Sequence, residues 1–245
     1  MTETSATRRI PLCGTYNLRD VGGYPVGDGA LRWQSLLRSD ALHKVDHAGR
    51  HTLRQLGLGL VIDLREVEET ESAPDALSGV GHAVVHCPIY QGSVDASTAG
   101  FSLAALYRQM ITDHAKALTA AVRLIATADP SPVLVHCSAG KDRTGLVVAL
   151  ALAAVGADER DIVADYAVSE IMLAGEWAKT VLAKYSGMDL PEGLDLNSIV
   201  CASPAALMRE TLAQIRVDHG DIQGFLRAHG MTDAEFAGLA TRLVA

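Results

Sequence analysis

The sequence predicts an α/β fold: a central, largely parallel sheet flanked by helices, with a helical C-terminal part. Three observations carry this. Short apolar runs of strand length, Leu60–Leu64, Val80–Ile89 and Val133–Val135, alternate with longer segments of helical period, the order that builds parallel sheets. The stretch Leu146–Val155 is apolar on nearly every face, the pattern of a helix buried on all sides. From Asp158 onward the pattern is helical, with no further strand-like run.

In chain order, residues 14–40 are rich in Gly and Asp. Gly22-Gly23 and Asp28-Gly29 mark turns, and short strands are predicted at Leu31–Trp33 and Leu36–Arg38. Residues 46–57 read as a helix with Asp46 as N-cap and Gly57 as C-cap. Leu60–Arg65 is a strand ending in charge, and the acidic run 66–71 is a helix or turn. Val80–Ile89 is the next strand, 101–128 one long helix, Val133–Val135 a strand and 146–155 a helix. The helical pattern after Asp158 runs through Trp177, Val181 and Tyr185, and breaks at 186–191. It resumes after Ser203-Pro204 and again after Thr232-Asp233, both good helix starts. Residues 90–99 form the best candidate for a mobile loop. No repeat or low-complexity linker divides the chain, so residues 1–245 read as a single domain.

Composition narrows the function. The chain has 245 residues, 49% of them hydrophobic and 20% charged, with a net charge of −8. It offers no basic surplus to neutralise nucleic-acid phosphates, so no nucleic-acid partner is expected. The first dozen residues lack the apolar core of a signal peptide, and the most apolar window is too short to cross a bilayer, so stable membrane insertion is not expected. Four cysteines, Cys13, Cys87, Cys137 and Cys201, lie far apart and form neither a disulfide framework nor a zinc pattern. A cytoplasmic protein is the simplest reading; secretion without a cleaved signal stays open.

The chemistry is concentrated in VHCSAGKDRTG, residues 135–145. Five residues separate Cys137 from Arg143, in a turn between an apolar strand and an apolar helix. A loop of that length can curl so that the backbone N–H groups of Ser138, Ala139, Gly140 and Lys141 face one centre. At a helix N-terminus this makes an anion cradle sized for phosphate. The same positive field favours a thiolate on a cysteine at the loop's mouth. Arg143 can hold two phosphate oxygens as a planar fork, and Gly140 lets the backbone approach closely. Nucleophile, cradle and clamp are the parts of phosphoryl transfer through a cysteinyl-phosphate.

This stretch, His136-Cys137-(x)5-Arg143-Thr144-Gly145, resembles the signature of the protein tyrosine phosphatase superfamily. With Lys141-Asp142 before the arginine, it is similar to a narrower group, the bacterial tyrosine and lipid phosphatases of the mycobacterial protein tyrosine phosphatase B kind. NLRDVGGYP (17–25), LRWQSLLRSDAL (31–42), VIDLREVEE (61–69) and DYAVSE (165–170) extend the likeness over most of the chain, though only the loop is motif-grade. The resemblance implies a tyrosine-phosphatase-like fold and a metal-free, cofactor-free enzyme acting on phosphorylated proteins or peptides. It names phosphotyrosine first, then phosphoserine, phosphothreonine and phosphoinositides. It implies Cys137 as nucleophile, Arg143 as clamp and Lys141 as a second positive group at the phosphate. His136, Thr144 and Asp63 are supporting residues. The larger tyrosine phosphatases carry their general acid in a Trp-Pro-Asp triplet, which this chain lacks; Asp142 inside the loop is the candidate instead. Lid helices are known in the group, but the matching region, around 186–215, is divergent and places no lid.

Plainer readings stand beside these. Cys137 could be a buried structural thiol, and the loop could read phosphate with little turnover, as a binding module. A sulfurtransferase or an arsenate reductase also uses a loop cysteine, but sulfur transfer needs no acid for an oxygen leaving group. Asp142 could only pair with Lys141 or Arg143. Asp63 either hydrogen-bonds the loop or caps the next turn; it and Asp95 are the next candidates for the acid. Cys87 reads as strand core. His82 and His86 could share a strand face, with nothing to complete a metal site. Arg19 and Asp20 either order the site's floor or form a turn salt bridge.

Overall fold

The computed structural model describes residues 8–90, 102–186 and 196–245. In chain order the elements are β1 (Arg19–Asp20), β2 (Pro25–Val26), β3 (Gly29–Ala30), β4 (Leu36–Ser39), α1 (His47–Gln55), β5 (Leu60–Asp63), α2 (Val67–Ser72), β6 (Ala83–His86), α3 (Leu103–Thr112), α4 (Ala115–Thr127) and β7 (Val133–His136). A helical half follows: α5 (Asp142–Ala154), α6 (Glu159–Leu173), α7 (Glu176–Ala183), α8 (Leu196–Cys201), α9 (Ala205–His219), α10 (Ile222–Ala228) and α11 (Asp233–Leu243). Five strands form one sheet in the order β1-β4-β7-β5-β6, parallel except for β1, which runs antiparallel at the edge. The hairpin β2–β3 stands apart.

Strand alternation explains the two cores. Leu36, Ile62, Val133 and Val135 face the large core shared with α3 to α6 and α9 to α11. Their neighbours Leu37, Val61 and Leu134 face a smaller core with Leu42, Leu53 and Leu77. All four residues of the central strand β7 are buried, as a strand covered on both faces must be. Helix α5 buries Leu146, Val147, Leu150 and Leu152 almost completely, each contributing about 1.5–3 kcal/mol relative to an exposed side chain. Among the described residues no helix is long and apolar enough to cross a membrane.

The structure bears out the parallel sheet and the helical C-terminal half, and corrects several boundaries. The strand expected at Leu31–Trp33 is a turn: only Leu31 makes a β-bridge, to Val244. The Asp20 carboxylate accepts the Gln34 N–H at 2.8 Å and holds Gln34 at a φ of 56°. The strand expected over 80–89 is cut to Ala83–His86, between Gly81 and Pro88. The single helix expected over 101–128 is two helices, divided at Asp113-His114. Gly175, at a φ of 89°, likewise divides α6 from α7. Helix α5 begins at Asp142, four residues before its apolar run, so the end of the loop is its first turn. Asp46 caps α1 as expected, accepting the Gly49 N–H at 2.7 Å. Of the loop expected at 90–99, only Tyr90 lies within the described residues.

Under the sheet's edge sits a buried ion triad. Asp165 on α6 accepts Arg19 Nε at 3.0 Å and Arg38 Nη1 at 2.5 Å, and all three side chains are nearly inaccessible. Burial works against the ionised carboxylate, but the two guanidinium charges hold it below the usual range. Arg19 thus pairs with Asp165 rather than Asp20, whose carboxylate caps Gly22 and Gln34. Asp165→Asn leaves two buried cations without a counter-charge and is expected to cost about 3–5 kcal/mol, read as a lower denaturation midpoint.

Candidate active site

Register places the loop. Ser39, Asp63 and His136, the last residues of β4, β5 and β7, lie side by side. This is the C-terminal edge of the parallel strands, where α/β sheets gather their functional groups. Cys137 follows β7 and is 2% exposed. Gly140 takes a φ of 65° and lies so close to β4 that a Cβ there would stand 2.2 Å from the Ser39 carbonyl oxygen. No larger residue fits.

The loop's carbonyls are claimed from behind. The Ala41 N–H donates to Ser138 O at 3.2 Å. Asn17 Nδ2 donates to Ala139 O at 3.0 Å and to Gly140 O at 3.1 Å. Arg38 Nη2 donates to Gly140 O at 2.8 Å. In a trans peptide the N–H points opposite to the C=O. Fixing these three carbonyls outward therefore directs the N–H groups of Ala139, Gly140 and Lys141 inward. The Gly140 N–H does point inward, donating to Cys137 Sγ at 3.2 Å. The arrangement is a cradle for an oxyanion next to a thiol.

Arg143 lies in the first turn of α5, its guanidinium held end-on by Glu69 of α2. Nη1 meets Oε2 at 2.5 Å and Nη2 meets Oε1 at 2.9 Å. The Ser138 hydroxyl also donates to Glu69 Oε1. Burial raises the Glu69 pKa, but Arg143 and Ser138 outweigh it and bring it down to about 2. The Arg143 pKa is pushed up, with Glu69 and Cys137 overcoming the cost of burial. Five N–H bonds are available on a guanidinium, so the end-on pair leaves its Nε side for a further oxyanion. The Tyr90 ring lies 5.2 Å from the guanidinium carbon.

Asp142 is the first residue of α5, and its Oδ1 accepts the Tyr107 hydroxyl at 3.0 Å and lies 3.0 Å from Lys141 Nζ. Lys141 departs from the expectation that its ammonium faces the phosphate. Nζ donates to the carbonyls of Ile199 at 2.9 Å and Ala202 at 2.8 Å, around the C-terminal end of α8, and the side chain is buried. Carbonyls at a helix end attract a cation, which fixes it there. Thr144 is fully buried, and among the described residues its hydroxyl has no hydrogen-bond partner.

Asp63 is held by Arg65. It accepts its own turn's Arg65 N–H at 3.0 Å, and its carboxylate meets the Arg65 fork at 2.7–3.2 Å. Capping the turn, rather than bonding residues 138–143, is its role in this structure. His136 Nε2 lies 3.1 Å from Asp75 and 3.8 Å from Asp63. Asp63, Asp75 and His136 bring their ligand atoms within 4.8 Å of one another, but Arg65 already supplies the counter-charge, bonding both carboxylates. His82 and His86 are separately committed, to the carbonyls of Val80 and Arg65. Cys87 is half-buried against the large core, and all four cysteines are free. Asp95 lies outside the described residues.

A cavity of about 440 Å³ opens over the loop. Asp142 and Arg143 line its floor; Trp177, Val181 and Tyr185, on α7 and just after it, and Ile199 on α8 line its wall. Buried Asp40 also borders it, its carboxyl pushed up to about 6 by desolvation despite accepting the Tyr16 and Asn17 N–H groups. Sequence reasoning missed Glu69, Tyr107, Asn17 and Arg38. For Glu69 a signal existed: an acidic run following a strand end, within reach of a loop cation. Tyr107 sits in an amphipathic helix and reads as core.

Removing the Glu69 charge should strengthen anion binding. Glu69→Gln is expected to tighten competitive inhibition by sulfate about three- to tenfold, the effect of one unit charge at ~7 Å in a partly screened site. Unchanged inhibition would mean that the carboxylate is screened from the bound anion.

Similarity to known proteins agrees with this geometry. A profile described as "Tyrosine phosphatase family" matches residues 10–245. The chain is 31% identical to the triple specificity protein phosphatase PtpB of Mycobacterium tuberculosis, over 94% of this chain and 96% of that one. It is 27% identical to a tyrosine-protein phosphatase of Nostoc commune, over 87% and 76% of the two chains. The chain belongs to the tyrosine phosphatase family, the cysteine-dependent phosphoric monoester hydrolases.

Proposed function

We propose that residues 1–245 work as one phosphatase domain that hydrolyses phosphotyrosine through a cysteinyl-phosphate on Cys137. The observation that carries this is the cradle: a thiol and a guanidinium at the two ends of a loop whose carbonyls are held outward. In this reading the peptide N–H groups of residues 138–141 and the Nε side of Arg143 hold the phosphate oxygens. The sulfur attacks phosphorus as the ester bond breaks, and Asp142 gives its proton to the departing oxygen. Water then attacks the phosphocysteine, Asp142 takes a proton from it, and the sulfur–phosphorus bond breaks. The free Thr144 hydroxyl suits donation to the departing thiolate. Lys141 contributes its backbone N–H to the phosphate, while its ammonium stays with α8.

We extend the substrate class to phosphoserine, phosphothreonine and phosphoinositides. The name of the mycobacterial relative, a triple specificity phosphatase, supports a broad range. So does the wall, which presents the apolar and aromatic side chains of Trp177, Val181, Tyr185 and Ile199 beside Thr180 and Lys184. The reaction needs no metal or other cofactor. We place the protein in the cytoplasm, where four free thiols are stable.

Cys137→Ser should abolish turnover of para-nitrophenyl phosphate while sulfate still protects the loop in hydrogen exchange, because the cradle is backbone. Turnover surviving in that variant would remove the covalent mechanism; a wild-type protein that binds phosphate without turnover would favour the binding module. Asp142→Asn should lower kcat/KM most for leaving groups of high pKa and least for para-nitrophenolate, with a loss of about 10²–10⁴-fold at the steep end. One constant factor across the series would mean that Asp142 only shapes the loop.

A further inference from the structure

The carboxylate of Asp142 is held by groups that treat its two oxygens unequally. Tyr107 on α3 and Tyr166 on α6 are each 1% exposed. Their hydroxyl oxygens are 2.8 Å apart, and the Tyr107 hydroxyl is 3.0 Å from Asp142 Oδ1. Lys141 Nζ is 3.0 Å from that same oxygen. Among the described residues both of these contacts fall on Oδ1 and none on Oδ2.

Each phenol has one proton to give. An ionised carboxylate can only accept, so the Tyr107 hydroxyl donates its one hydrogen bond to Asp142 Oδ1 and its oxygen is left to accept from the Tyr166 hydroxyl. An ammonium can only donate. Oδ1 therefore faces two donors, and a proton placed on it would meet both head-on inside a buried site. Burial, reinforced by the charge of Asp142, pushes both phenols well above their ordinary range, so they remain donors throughout neutral pH. The rings are fixed by packing. They meet edge to face with centroids 6.1 Å apart, and the Tyr166 ring lies flush on α5, where a Cβ at Gly145 would come within 2.9 Å of it.

We propose that Tyr107, backed by Tyr166, is a positioning residue that commits Oδ1 of Asp142 to accepting, so that Oδ2 alone carries the proton. The inference rests on Asp142 being the general acid. Oδ2 gives its proton to the departing oxygen and regains one from the attacking water, while Oδ1 only accepts throughout. The hydrogen-bond chain keeps one polarity in both steps, so nothing in the buried network rearranges between them.

The test compares kcat/KM along a series of aryl phosphates, from para-nitrophenyl to phenyl phosphate, in Tyr107→Phe, Asp142→Asn and the combined variant. Tyr107→Phe should lose most with phenyl phosphate, about tenfold, the scale of one charge-assisted hydrogen bond, and least with para-nitrophenyl phosphate. Sulfate inhibition should be unchanged. Added to Asp142→Asn, it should cost nothing more, since both act through one oxygen pair. The Tyr107→Phe/Tyr166→Phe variant removes both hydroxyls, leaves no orphaned donor and should give the same profile if the single variant folds poorly. A loss independent of leaving group, or one that adds in full to Asp142→Asn, overturns the proposal. A flat series for Asp142→Asn itself removes the general-acid reading and this inference with it. A steep series there beside a flat one for Tyr107→Phe removes this inference alone.

Discussion

The site depends on which way the peptide planes of residues 138–140 face. A strand followed at once by a helix leaves several backbone groups unpaired, and their direction is free unless something fixes it. Here Asn17 and Arg38 fix it, by occupying the carbonyls of Ala139 and Gly140 from outside. Arg19 in turn holds Asn17, donating to its side-chain and backbone oxygens, and Asp165 holds Arg19 and Arg38 together. The result is a floor of two buried cations under one carboxylate, with an excess positive charge directly beneath the cradle. That charge disfavours burial on its own but favours an anion above it.

The charges facing the cavity are arranged to stay single-purpose. Arg143 could collapse onto Asp142, its chain neighbour, and neutralise it. Instead Glu69 takes the terminal nitrogens of Arg143 and orients the fork, while Asp142 is taken by Tyr107 and Lys141. Two carboxylates in one small cavity thus hold distinct partners: Glu69 a cation that keeps it ionised, Asp142 a neutral phenol and a lysine shared with helix-end carbonyls. Without that separation Arg143 and Asp142, adjacent in the chain, would pair with each other.

Much of this was legible in the sequence, and the parts that were not share a cause. The parallel sheet, the buried helix after the loop and the grouping of Cys137, Asp142 and Arg143 follow from local patterns: strand-length apolar runs, helical period and a turn of fixed length. Helix division at Asp113 and Gly175 was not legible, because the apolar period continues across both. Lys141 was misplaced because its partners are backbone carbonyls some sixty positions away, which carry no side-chain signature. Tyr107 and Asp165 were invisible for a related reason. A tyrosine or aspartate in a helix announces burial or a surface, and only the fold says what it meets across α3, α5 and α6.

The reassignment of Lys141 changes where specificity arises. Had its ammonium faced the cavity, the loop itself would have favoured substrates with extra negative charge. With the ammonium fastened to Ile199 and Ala202, the proposed cradle consists of Arg143 and backbone N–H groups, which suit any phosphate monoester alike. In the proposed reading, discrimination falls to the wall formed by α7 and α8. These helices bury no residue fully, and the polar contacts that tie the wall down include Lys141 to the end of α8, and Ser203 to Glu170 through paired hydrogen bonds of 2.8 and 3.0 Å. An element with few buried apolar contacts opens at low cost. The same lysine that secures α8 also touches Asp142 Oδ1, so the seating of the wall and the orientation of the proposed acid meet in one ammonium group.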